Sequence, residues 1–324
     1  MNERKKSLFF AGHFAVDHTI RFKRINKPTL GGSVSYSSLA LRKYTNDAKL
    51  SIISHIGKLN FNNNLLEKIK DTDIDLKGIK YSQVKNTNFV LDYFDHARIL
   101  TLKSRSPNLK FEDIPSEYLN NPPDLFVLVP LCNEISFEYV SQILKQFPEV
   151  YIGIDLQGFI RKIDDLGKVA YIYDDEIISN MEKIVNLIGD KLILKGSEEE
   201  MKLLAGEYND FEKVMTFFKQ YNNNGIYIMT LGERGSMLIK KGEQILKIPA
   251  FRARKVVDET GAGDVYFSIF LYEFIRADKS WKSIEHAAYL ASAAASFLVE
   301  KKGTTGFETK KAVVKRVKKQ RYIN

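Results

Sequence analysis

The chain has 324 residues, of which 44% are hydrophobic and 27% charged, and this composition excludes collagen-like, wholly disordered and disulfide-dense proteins. The single cysteine, Cys132, also excludes an intrachain disulfide and a multi-cysteine metal site. The net charge is +9, but seven lysines and arginines from Lys310 to Arg321 leave only +2 for residues 1–308. The excess charge therefore belongs to a basic C-terminal helix or tail at residues 309–324.

Short apolar runs alternate with amphipathic segments along the chain, as is typical of a mostly parallel sheet covered by helices on both faces. The predicted strands lie at residues 8–14, 51–56, 125–129, 151–154, 191–194 and 225–230. The predicted helices lie at residues 35–43, 61–70, 135–146, 176–188, 197–204 and 211–221. The expected fold class is α/β, with three layers and a mostly parallel central sheet.

Two segments, residues 19–30 and 87–103, break this alternation and are typical of β-ribbons. The second is predicted to be a hairpin with Asp95, His96 and Ala97 near its turn. We expect a small β lid, from about residues 15–34 and 87–105, that covers one end of the α/β body and excludes water from a site. The alternative, hairpins without a function, stays open.

The segment with the sharpest chemical pattern is residues 258–264 (DETGAGD), which precedes an apolar helical run. Gly261 and Gly263 let the backbone approach a ligand closely, and the start of a helix is a natural anion site. Asp264 in the first turn is placed to take a proton from a hydroxyl that attacks a bound phosphoryl group. The alternative is a glycine turn capped by Asp258 or Thr260. No P-loop motif occurs, and no GxGxxG follows the first strand.

Residues 258–264 resemble the DxTGAGD motif of the ribokinase-like (pfkB) family of carbohydrate and nucleoside kinases. Residues 12–17, 31–32 and 230–235 resemble three further family motifs in the family's order, so the similarity covers about residues 7–306. The resemblance implies a kinase domain at residues 1–308 that uses ATP and Mg²⁺ to phosphorylate a hydroxyl. In that interpretation Asp264 is the base, and the N–H groups of Gly261, Ala262 and Gly263 form the anion hole.

The resemblance also assigns roles to ten further residues. These are substrate contacts at Asp17, Gly31, Gly32 and Arg161, nucleotide contacts at Lys195, Thr230, Gly232, Gly235 and Ser292, and a magnesium-organising carboxylate at Glu198. Lys195 and Ser292 stand where the family commonly has asparagine. Ser197 and Glu200 match a capping box, so Glu198 has the alternative role of stabilising a helix start. Arg161 has the alternative role of a surface or interdomain ion pair.

Residues 155–161 (DLQGFIR) resemble the branch that contains myo-inositol kinases, whereas Ala15 and Tyr36 depart from the commonest sugar-kinase pattern. The predicted function is ATP-dependent phosphorylation of a small polyol or sugar, myo-inositol or sugar-like. A nucleoside kinase of the same family, and a catalytically weak regulator that binds sugar or nucleotide, stay open as alternatives.

The expected partners are a small polyol, sugar or nucleoside substrate and a second copy bound through the lid. Nucleic acid is not expected, because the basic C-terminal segment has no interleaved aromatic residue before Tyr322. A membrane is not expected either, because the longest uncharged apolar stretch, residues 287–299, is shorter than the ~20 residues that span a bilayer. These features predict a cytoplasmic protein.

Overall fold

A computed structural model describes residues 4–21, 24–94, 97–206 and 209–323. The strands within these ranges are β1 (Lys6–Ala11), β2 (Ala15–Arg21), β3 (Arg24–Ile25), β4 (Thr29–Gly31), β5 (Ala48–Gly57), β6 (Asp75–Ser82), β7 (Thr87–Phe94), β8 (Ala97–Ser104), β9 (Leu125–Leu128), β10 (Tyr151–Asp155), β11 (Lys162–Ile163), β12 (Val169–Ala170), β13 (Leu192–Ser197), β14 (Ile226–Thr230), β15 (Ser236–Ile239) and β16 (Leu246–Ile248). The predicted hairpin turn at Asp95 and His96 lies outside the described residues.

The helices of the described residues lie between these strands or after them. They are α1 (Ser33–Tyr44), α2 (Glu67–Lys70), α3 (Ser116–Asn120), α4 (Phe137–Gln146), α5 (Asp175–Ile188), α6 (Glu198–Ala205), α7 (Phe211–Phe217), α8 (Ala262–Arg276), α9 (Trp281–Leu298) and α10 (Lys310–Lys318). No described helix has the length and apolar character needed to cross a membrane.

The central sheet has nine strands in the order β16-β15-β14-β13-β10-β9-β1-β5-β6. The strands from β14 to β6 pair in parallel, whereas β15 and β16 add an antiparallel edge. Because the carboxyl ends of parallel strands meet at one edge of a sheet, that edge is where an open α/β sheet places its ligands. The predicted α/β fold with a mostly parallel sheet is confirmed.

Two apolar cores lie on the two faces of this sheet. Alternate residues of β1 divide between them: Leu8 and Phe10 pack with helices α1, α8 and α9, while Phe9 and Ala11 pack with helices α4, α5 and α6. This alternation follows from the two-residue period of a strand. Burial on both faces explains why the parallel strands are almost continuously apolar.

The smaller sheet has the order β3-β2-β7-β8, with β4 also paired to β2. It is the predicted lid, and its strand β2 begins at Ala15, before the β-ribbon predicted over residues 19–30. The prediction of a single strand over residues 8–14 is wrong, because β1 ends at Ala11 and β2 begins at Ala15. A Cβ on Gly12 would lie 2.4 Å from the Val129 carbonyl oxygen, so the chain leaves the central sheet through a contact that only glycine permits.

The prediction of a helix over residues 61–70 is wrong in its first half. Asn63–Leu66 form a 3₁₀ turn, and only α2 is α-helical. Asn62 accepts a hydrogen bond from the Asn64 N–H at 3.0 Å through its own side chain. Asparagine side chains that bind nearby backbone in this way favour turns over helices.

The basic C-terminal segment contains a docked helix, α10. Val313 on α10 is fully buried, and Arg316 pairs with Glu300 at 2.6 Å. After the helix, Tyr322 forms an antiparallel bridge with Phe251. The segment therefore packs against α9 and the chain that follows β16.

Candidate active site

One cavity of about 840 Å³ lies between the lid and the carboxyl ends of the central strands. It brings together nine of the predicted site residues, which are Asp17, Gly32, Arg161, Lys195, Thr230, Gly261, Ala262, Gly263 and Asp264. We call the part built from the central strands and the start of α8 the floor. We call the part built from the lid strands the lid wall.

The glycine loop at the start of α8 lies in the floor. Gly261 has φ 82°, a left-handed conformation that favours glycine. Asp258 holds the loop, because its carboxylate accepts hydrogen bonds from the Thr260 and Gly303 N–H groups, each at 3.2 Å. The Ala262 N–H donates to the Glu259 carbonyl oxygen at 3.1 Å. Of the three N–H groups predicted to bind an anion, that of Ala262 therefore already has a partner.

Asp264 lies in the first turn of α8, half-buried at the cavity surface. Burial and the nearby carboxylate of Asp155 raise the pKa of Asp264 to about 7, against the opposing effects of Lys195, a hydrogen bond with Ser33, and Arg161. A carboxyl group that titrates near neutral pH can accept a proton from a hydroxyl and release it again. The raised pKa is compatible with the predicted role of Asp264 as a general base, which stays a prediction.

A buried ion pair lies beside Asp264 in the floor. Lys195 Nζ is 2.8 Å from an Asp155 carboxylate oxygen, and the two side chains are only 7% and 2% exposed. The residues are neighbours because β10 and β13 pair in parallel with Asp155 opposite Lys195. Burial lowers the pKa of Lys195, but carboxylates, chiefly Asp155 and then Glu200, outweigh this effect and raise the pKa. Lys195 is therefore a permanent cation in the floor.

Arg161 is almost completely buried, and its guanidinium donates to the Leu131 carbonyl oxygen at 2.8 Å and to the Tyr171 hydroxyl at 3.2 Å. The Tyr171 hydroxyl in turn donates to Glu200 at 2.8 Å. The alternative of a surface ion pair is thus wrong, because Arg161 belongs to a buried network at the cavity. Its predicted contact with substrate stays a prediction.

The predicted capping box at the start of α6 is confirmed, since Ser197 and Glu200 exchange hydrogen bonds. Glu198 pairs with Lys202 at 2.5 Å and with Arg234, and it lies outside the residues that line the cavity. Glu199 does line it, and burial followed by repulsion from Glu200 and Glu198 raises the pKa of its carboxyl. A divalent cation bound with donor phosphates would relieve this repulsion, so the acidic start of α6 fits Mg²⁺. The magnesium role of Glu198 stays a prediction.

The glycine pair before α1 lies beside Asp17, and Gly32 lines the cavity. A Cβ on Gly31 would lie 2.0 Å from an Asp17 carboxylate oxygen, so glycine at this position makes room for the Asp17 side chain. Gly32 precedes α1 with φ 93°. Tyr36 lies against the glycine loop, since a Cβ on Gly261 would meet its ring at 2.1 Å. Burial and then the carboxylates around it, first that of Asp17, raise the pKa of the Tyr36 hydroxyl, so it stays a donor.

The lid wall is mainly apolar and aromatic. It consists of Ala15, Phe89, Leu91, Tyr93 and Leu100 from the lid strands and Leu131 from the loop after β9, and lid strand β2 also contributes the charged side chain of Asp17. Successive side chains of a lid strand point to opposite faces of the small sheet. Val90 therefore points away from this cavity and lines a second cavity of about 370 Å³ on the other side of the lid. An acceptor in the cavity therefore has charged groups on one side and an apolar surface on the other.

The predicted nucleotide residues outside the cavity lining have structural contacts. Gly232 and Gly235 have positive φ in the turn between β14 and β15, and a Cβ on Gly235 would lie 2.0 Å from the Ile248 carbonyl oxygen. The Ser292 hydroxyl donates to the Pro249 carbonyl oxygen at 2.8 Å. Their contacts with a nucleotide stay predictions.

Among the described residues, His13, Cys132 and Glu134 form a cluster whose ligand atoms are close enough to hold a metal ion. The cluster is fully buried, and its polar atoms have protein partners. Glu134 accepts hydrogen bonds from the N–H groups of His13, Leu131 and Cys132, and the His13 ring bonds to Thr87 and to the Pro107 carbonyl oxygen. These bonds account for the polar groups without a metal.

Asp155 and Tyr36 are cavity residues to which the sequence pattern assigns no role. Asp155 is the last residue of the apolar strand β10, whereas Asp17 lies within the lid strand β2. A carboxylate at the end of an apolar run is a signal that the sequence carries at Asp155. That signal could have found Asp155, whereas nothing near Tyr36 in the sequence indicates that its ring would pack on Gly261.

Comparisons with known proteins relate the chain to a family and to solved structures. A sequence profile described as "pfkB family carbohydrate kinase" matches residues 29–311. A relative named "Nucleoside kinase" from Methanocaldococcus jannaschii is 26% identical over 340 residues, which cover 99% of this chain and 100% of that protein. The solved structure of a nucleoside kinase from M. jannaschii covers 98% of this chain and 99% of its own, with a TM-score of 0.71 and 18% identity.

Two other solved structures have the same fold. A fructokinase from Vibrio cholerae O395, in a form with fructose, ADP and calcium ion bound, has a TM-score of 0.74 and 17% identity and covers 97% of this chain and 100% of its own. A pyrophosphate-dependent kinase of the ribokinase family, complexed with a pyrophosphate analog and myo-inositol, has a TM-score of 0.71 and 20% identity over 91% and 96% of the two chains.

Proposed function

The chain belongs to the pfkB family of carbohydrate kinases, and on this premise we propose that it transfers the terminal phosphoryl group of ATP to a hydroxyl of a small polyol, sugar or nucleoside. The observation that carries the proposal is that Asp264 and the start of α8 share one cavity with Asp17 and the lid wall. A base, an anion site and an acceptor site are the three parts that phosphoryl transfer to an alcohol needs.

In the proposed mechanism the Asp17 carboxylate accepts hydrogen bonds from acceptor hydroxyls and fixes their orientation. Asp264 takes the proton of the attacking hydroxyl as the new bond to phosphorus forms. The start of α8, with Gly261 and Gly263, stabilises the negative charge on the transferred group through its N–H groups and helix dipole. The closed lid keeps water from competing with the acceptor.

Mg²⁺ would screen the donor phosphates and help to orient them, as hard oxygen ligands allow. The carboxylate of Glu199, or that of Glu198 once released from Lys202 and Arg234, would hold it beside the donor. The nucleotide would be bound by Thr230 at the end of β14, by Gly232 and Gly235 in the turn that follows, and by the helix with Ser292.

The lid wall favours an acceptor with an apolar portion, and a nucleoside has one in its base. A polyol such as myo-inositol has hydroxyls around its whole ring, and those that face Phe89, Leu91 and Leu100 would lose hydrogen bonds to water without replacement. The full-length similarity to a protein named nucleoside kinase supports the same choice. We therefore place nucleosides first among the acceptor classes, with inositol and sugars as the second candidate.

The experiment is a coupled measurement of ADP release across nucleosides, pentoses, hexoses and myo-inositol, with a control without acceptor. Nucleosides are expected to give the largest kcat/KM. If myo-inositol is the best acceptor, our order of acceptors is reversed. If no compound stimulates ADP release from ATP, or phosphate release when pyrophosphate is the donor, the binding regulator is favoured. A cytoplasmic location and a homodimer through the lid also remain predictions, and sedimentation of the purified protein tests the dimer.

A further inference from the structure

A strongly charged surface outside the cavity is formed by three segments that are far apart in the chain. The segment after β16 lies between the C-terminal end of α9 and the residues that follow α10. On one side the Val257 N–H donates to the Val299 carbonyl oxygen at 2.7 Å, and on the other the Arg252 N–H donates to the Arg321 carbonyl oxygen at 2.9 Å. These segments and α10 carry eight exposed cations, which we call the basic surface: Arg252, Arg254, Lys255, Lys302, Lys315, Lys318, Lys319 and Arg321.

The cations of the basic surface have no carboxylate partners within the part of the chain that the structure describes. None of the eight side chains takes part in a salt bridge there, and the nearby Glu300 pairs instead with Arg316 at 2.6 Å. Exposed lysines on other faces of the protein do pair with carboxylates; Lys77, for example, lies 2.7 Å from Glu117. The positive charge of the basic surface is therefore not neutralised by the protein itself.

Some of these cations are placed where they repel one another. Phe251 and Tyr322 form an antiparallel bridge, and their rings pack with centroids 5.0 Å apart. The next pair along the two strands is Arg252 opposite Arg321, and both side chains point to the other side, toward solvent. Like charges that lie directly opposite in an antiparallel pair destabilise it. The fold therefore keeps a repulsive pair, which an anionic partner would relieve.

The surroundings of the basic surface indicate the chemistry of that partner. The apolar side of α10 is already used, because Val313 is fully buried and Val314 and Val317 pack against the same core, so α10 has no apolar face to insert into a bilayer. The ring of Tyr322 packs on Phe251 and is not free to stack on a base. Lysines and arginines without exposed aromatic residues are the groups that contact a phosphate backbone.

We propose that the basic surface binds the phosphate backbone of a nucleic acid duplex without reading its sequence. The prediction against nucleic acid depended on the lack of aromatic residues before Tyr322, and that lack argues only against base stacking. Contact with phosphates needs cations, and the fold brings these together from segments that the sequence keeps apart. The proposal goes beyond the proposed function, because none of the eight cations lines the cavity.

The test compares two triple variants of the full chain that have the same net charge. Arg252→Gln/Lys319→Gln/Arg321→Gln removes three cations of the basic surface. The control, Lys145→Gln/Lys183→Gln/Lys213→Gln, removes three exposed lysines from α4, α5 and α7, which pack on the opposite face of the central sheet. Each variant loses three of the nine net positive charges.

Binding is measured by fluorescence anisotropy with labelled duplexes of about 20 base pairs, at KCl concentrations from about 50 to about 200 mM. Duplex DNA and duplex RNA, each in two unrelated sequences, show which backbone binds more tightly and whether sequence matters. Vesicles that contain phosphatidylserine test a membrane surface as the alternative anion. Thermal melts and kcat with the best acceptor establish that each variant is folded and intact at the cavity.

Wild type should bind both sequences of a duplex equally, and if about six cations contact phosphates, the slope of log K against log salt for DNA should be about −5. The variant of the basic surface should bind about tenfold or more weakly, with a slope smaller in magnitude by about 3. It should melt no lower than wild type, because the repulsion between Arg252 and Arg321 is gone. The control should bind within about twofold of wild type, since removed charges far from the contact are screened by salt.

Three results would overturn the proposal. The first is that wild type binds no duplex even at the lowest salt. The second is an equal loss of affinity in the two triple variants, which would make the binding a property of net charge alone. The third is binding to the vesicles but not to the duplexes, which would assign the basic surface to a membrane.

Discussion

The floor and the lid wall of the cavity differ in almost every physical property. The floor contains Asp155, Lys195 and Asp264, charged groups at the ends of central strands and the start of a buried helix. The lid wall contains apolar side chains such as Phe89 and Leu100 on a separate small sheet. Precise electrostatic chemistry requires a rigid support, whereas recognition can vary with a smaller appended element. We infer that the floor transfers the phosphoryl group and the lid wall selects the acceptor.

The largest expected effect is on the floor. Asp264→Asn should lower kcat by about 100- to 10,000-fold, because the attacking hydroxyl loses its base, while affinity for a non-hydrolysable ATP analogue stays within a few-fold of wild type. The measurement is initial-rate kinetics with calorimetry, and Asp71→Asn, a change of the same chemistry at an exposed turn far from the cavity, is the control. Turnover by Asp264→Asn close to that of wild type would remove Asp264 from the mechanism.

The glycine loop gives the next largest effect. Gly261→Ala should lower kcat by on the order of 10- to 100-fold, because the new methyl group collides with Tyr36 and displaces the start of α8. Gly242→Ala is the matched control, since Gly242 has φ 81° but open space around its Cβ position. Both variants should lose about 1–2 kcal/mol of unfolding free energy from backbone strain. Gly261→Ala should lose more than this, because its new methyl group also collides with Tyr36. Equal losses of stability and activity in the two variants would contradict the close packing of Tyr36.

On the lid wall, Phe89→Ala and Leu100→Ala should each lower kcat/KM for the best acceptor by roughly 10-fold, through loss of apolar contact. The KM for ATP should not change. Val90→Ala, on the opposite face of β7, is the control and should leave both constants unchanged. A higher KM for ATP in the lid variants would mean that the donor, rather than the acceptor, lies against the lid wall.

The smallest expected effect is a shift in the pH dependence of kcat/KM. The raised pKa of Asp264 predicts that kcat/KM falls about tenfold per pH unit below pH 7, because the base must be ionised. Asp155→Asn removes a carboxylate that raises this pKa, so its acid limb should move to lower pH. The profile is measured from pH 5 to pH 9 with an acceptor that does not titrate in this range. An acid limb near the ordinary carboxyl value in wild type would contradict the electrostatic account of the floor.

The same pKa has a consequence for stability. A carboxyl group with a pKa higher in the folded than in the unfolded chain stabilises the fold at low pH, and this contribution is lost as the pH rises through about 7. Asp264→Asn should therefore melt at a higher temperature than wild type at pH 8, with the difference smaller at pH 5. Above about pH 7 the ionised Asp264 carboxylate therefore lowers the stability of the folded protein.

The sequence predicts those parts of the site that depend on residues close together in the chain. The glycine loop with Asp264, and the capping box of Ser197 and Glu200, are local patterns whose geometry follows from helix termini. Asp17 was predicted through the family resemblance, and the structure places it within the lid strand β2.

The pairing of Asp155 with Lys195 could not be predicted in the same way. The two residues meet only because β10 and β13 are neighbours in register, and the order of strands in a sheet is not visible in hydrophobic periodicity. The ring of Tyr36 on Gly261 likewise joins residues that are far apart in the chain. The strands β6, β15 and β16 were also missed, although each pairs with a strand that is its neighbour in the chain. Their residues form short segments at the edges of the sheet, where the fit to neighbouring strands decides strand formation more than the local pattern does.

The most direct test of the division between floor and lid wall is the ratio of kcat/KM for a nucleoside to that for myo-inositol, measured in wild type, Asp264→Asn and Leu100→Ala. Asp264→Asn should lower both constants by the same factor and keep the ratio, whereas Leu100→Ala should lower the ratio by roughly 10-fold. A changed ratio in Asp264→Asn together with an unchanged ratio in Leu100→Ala would contradict the account.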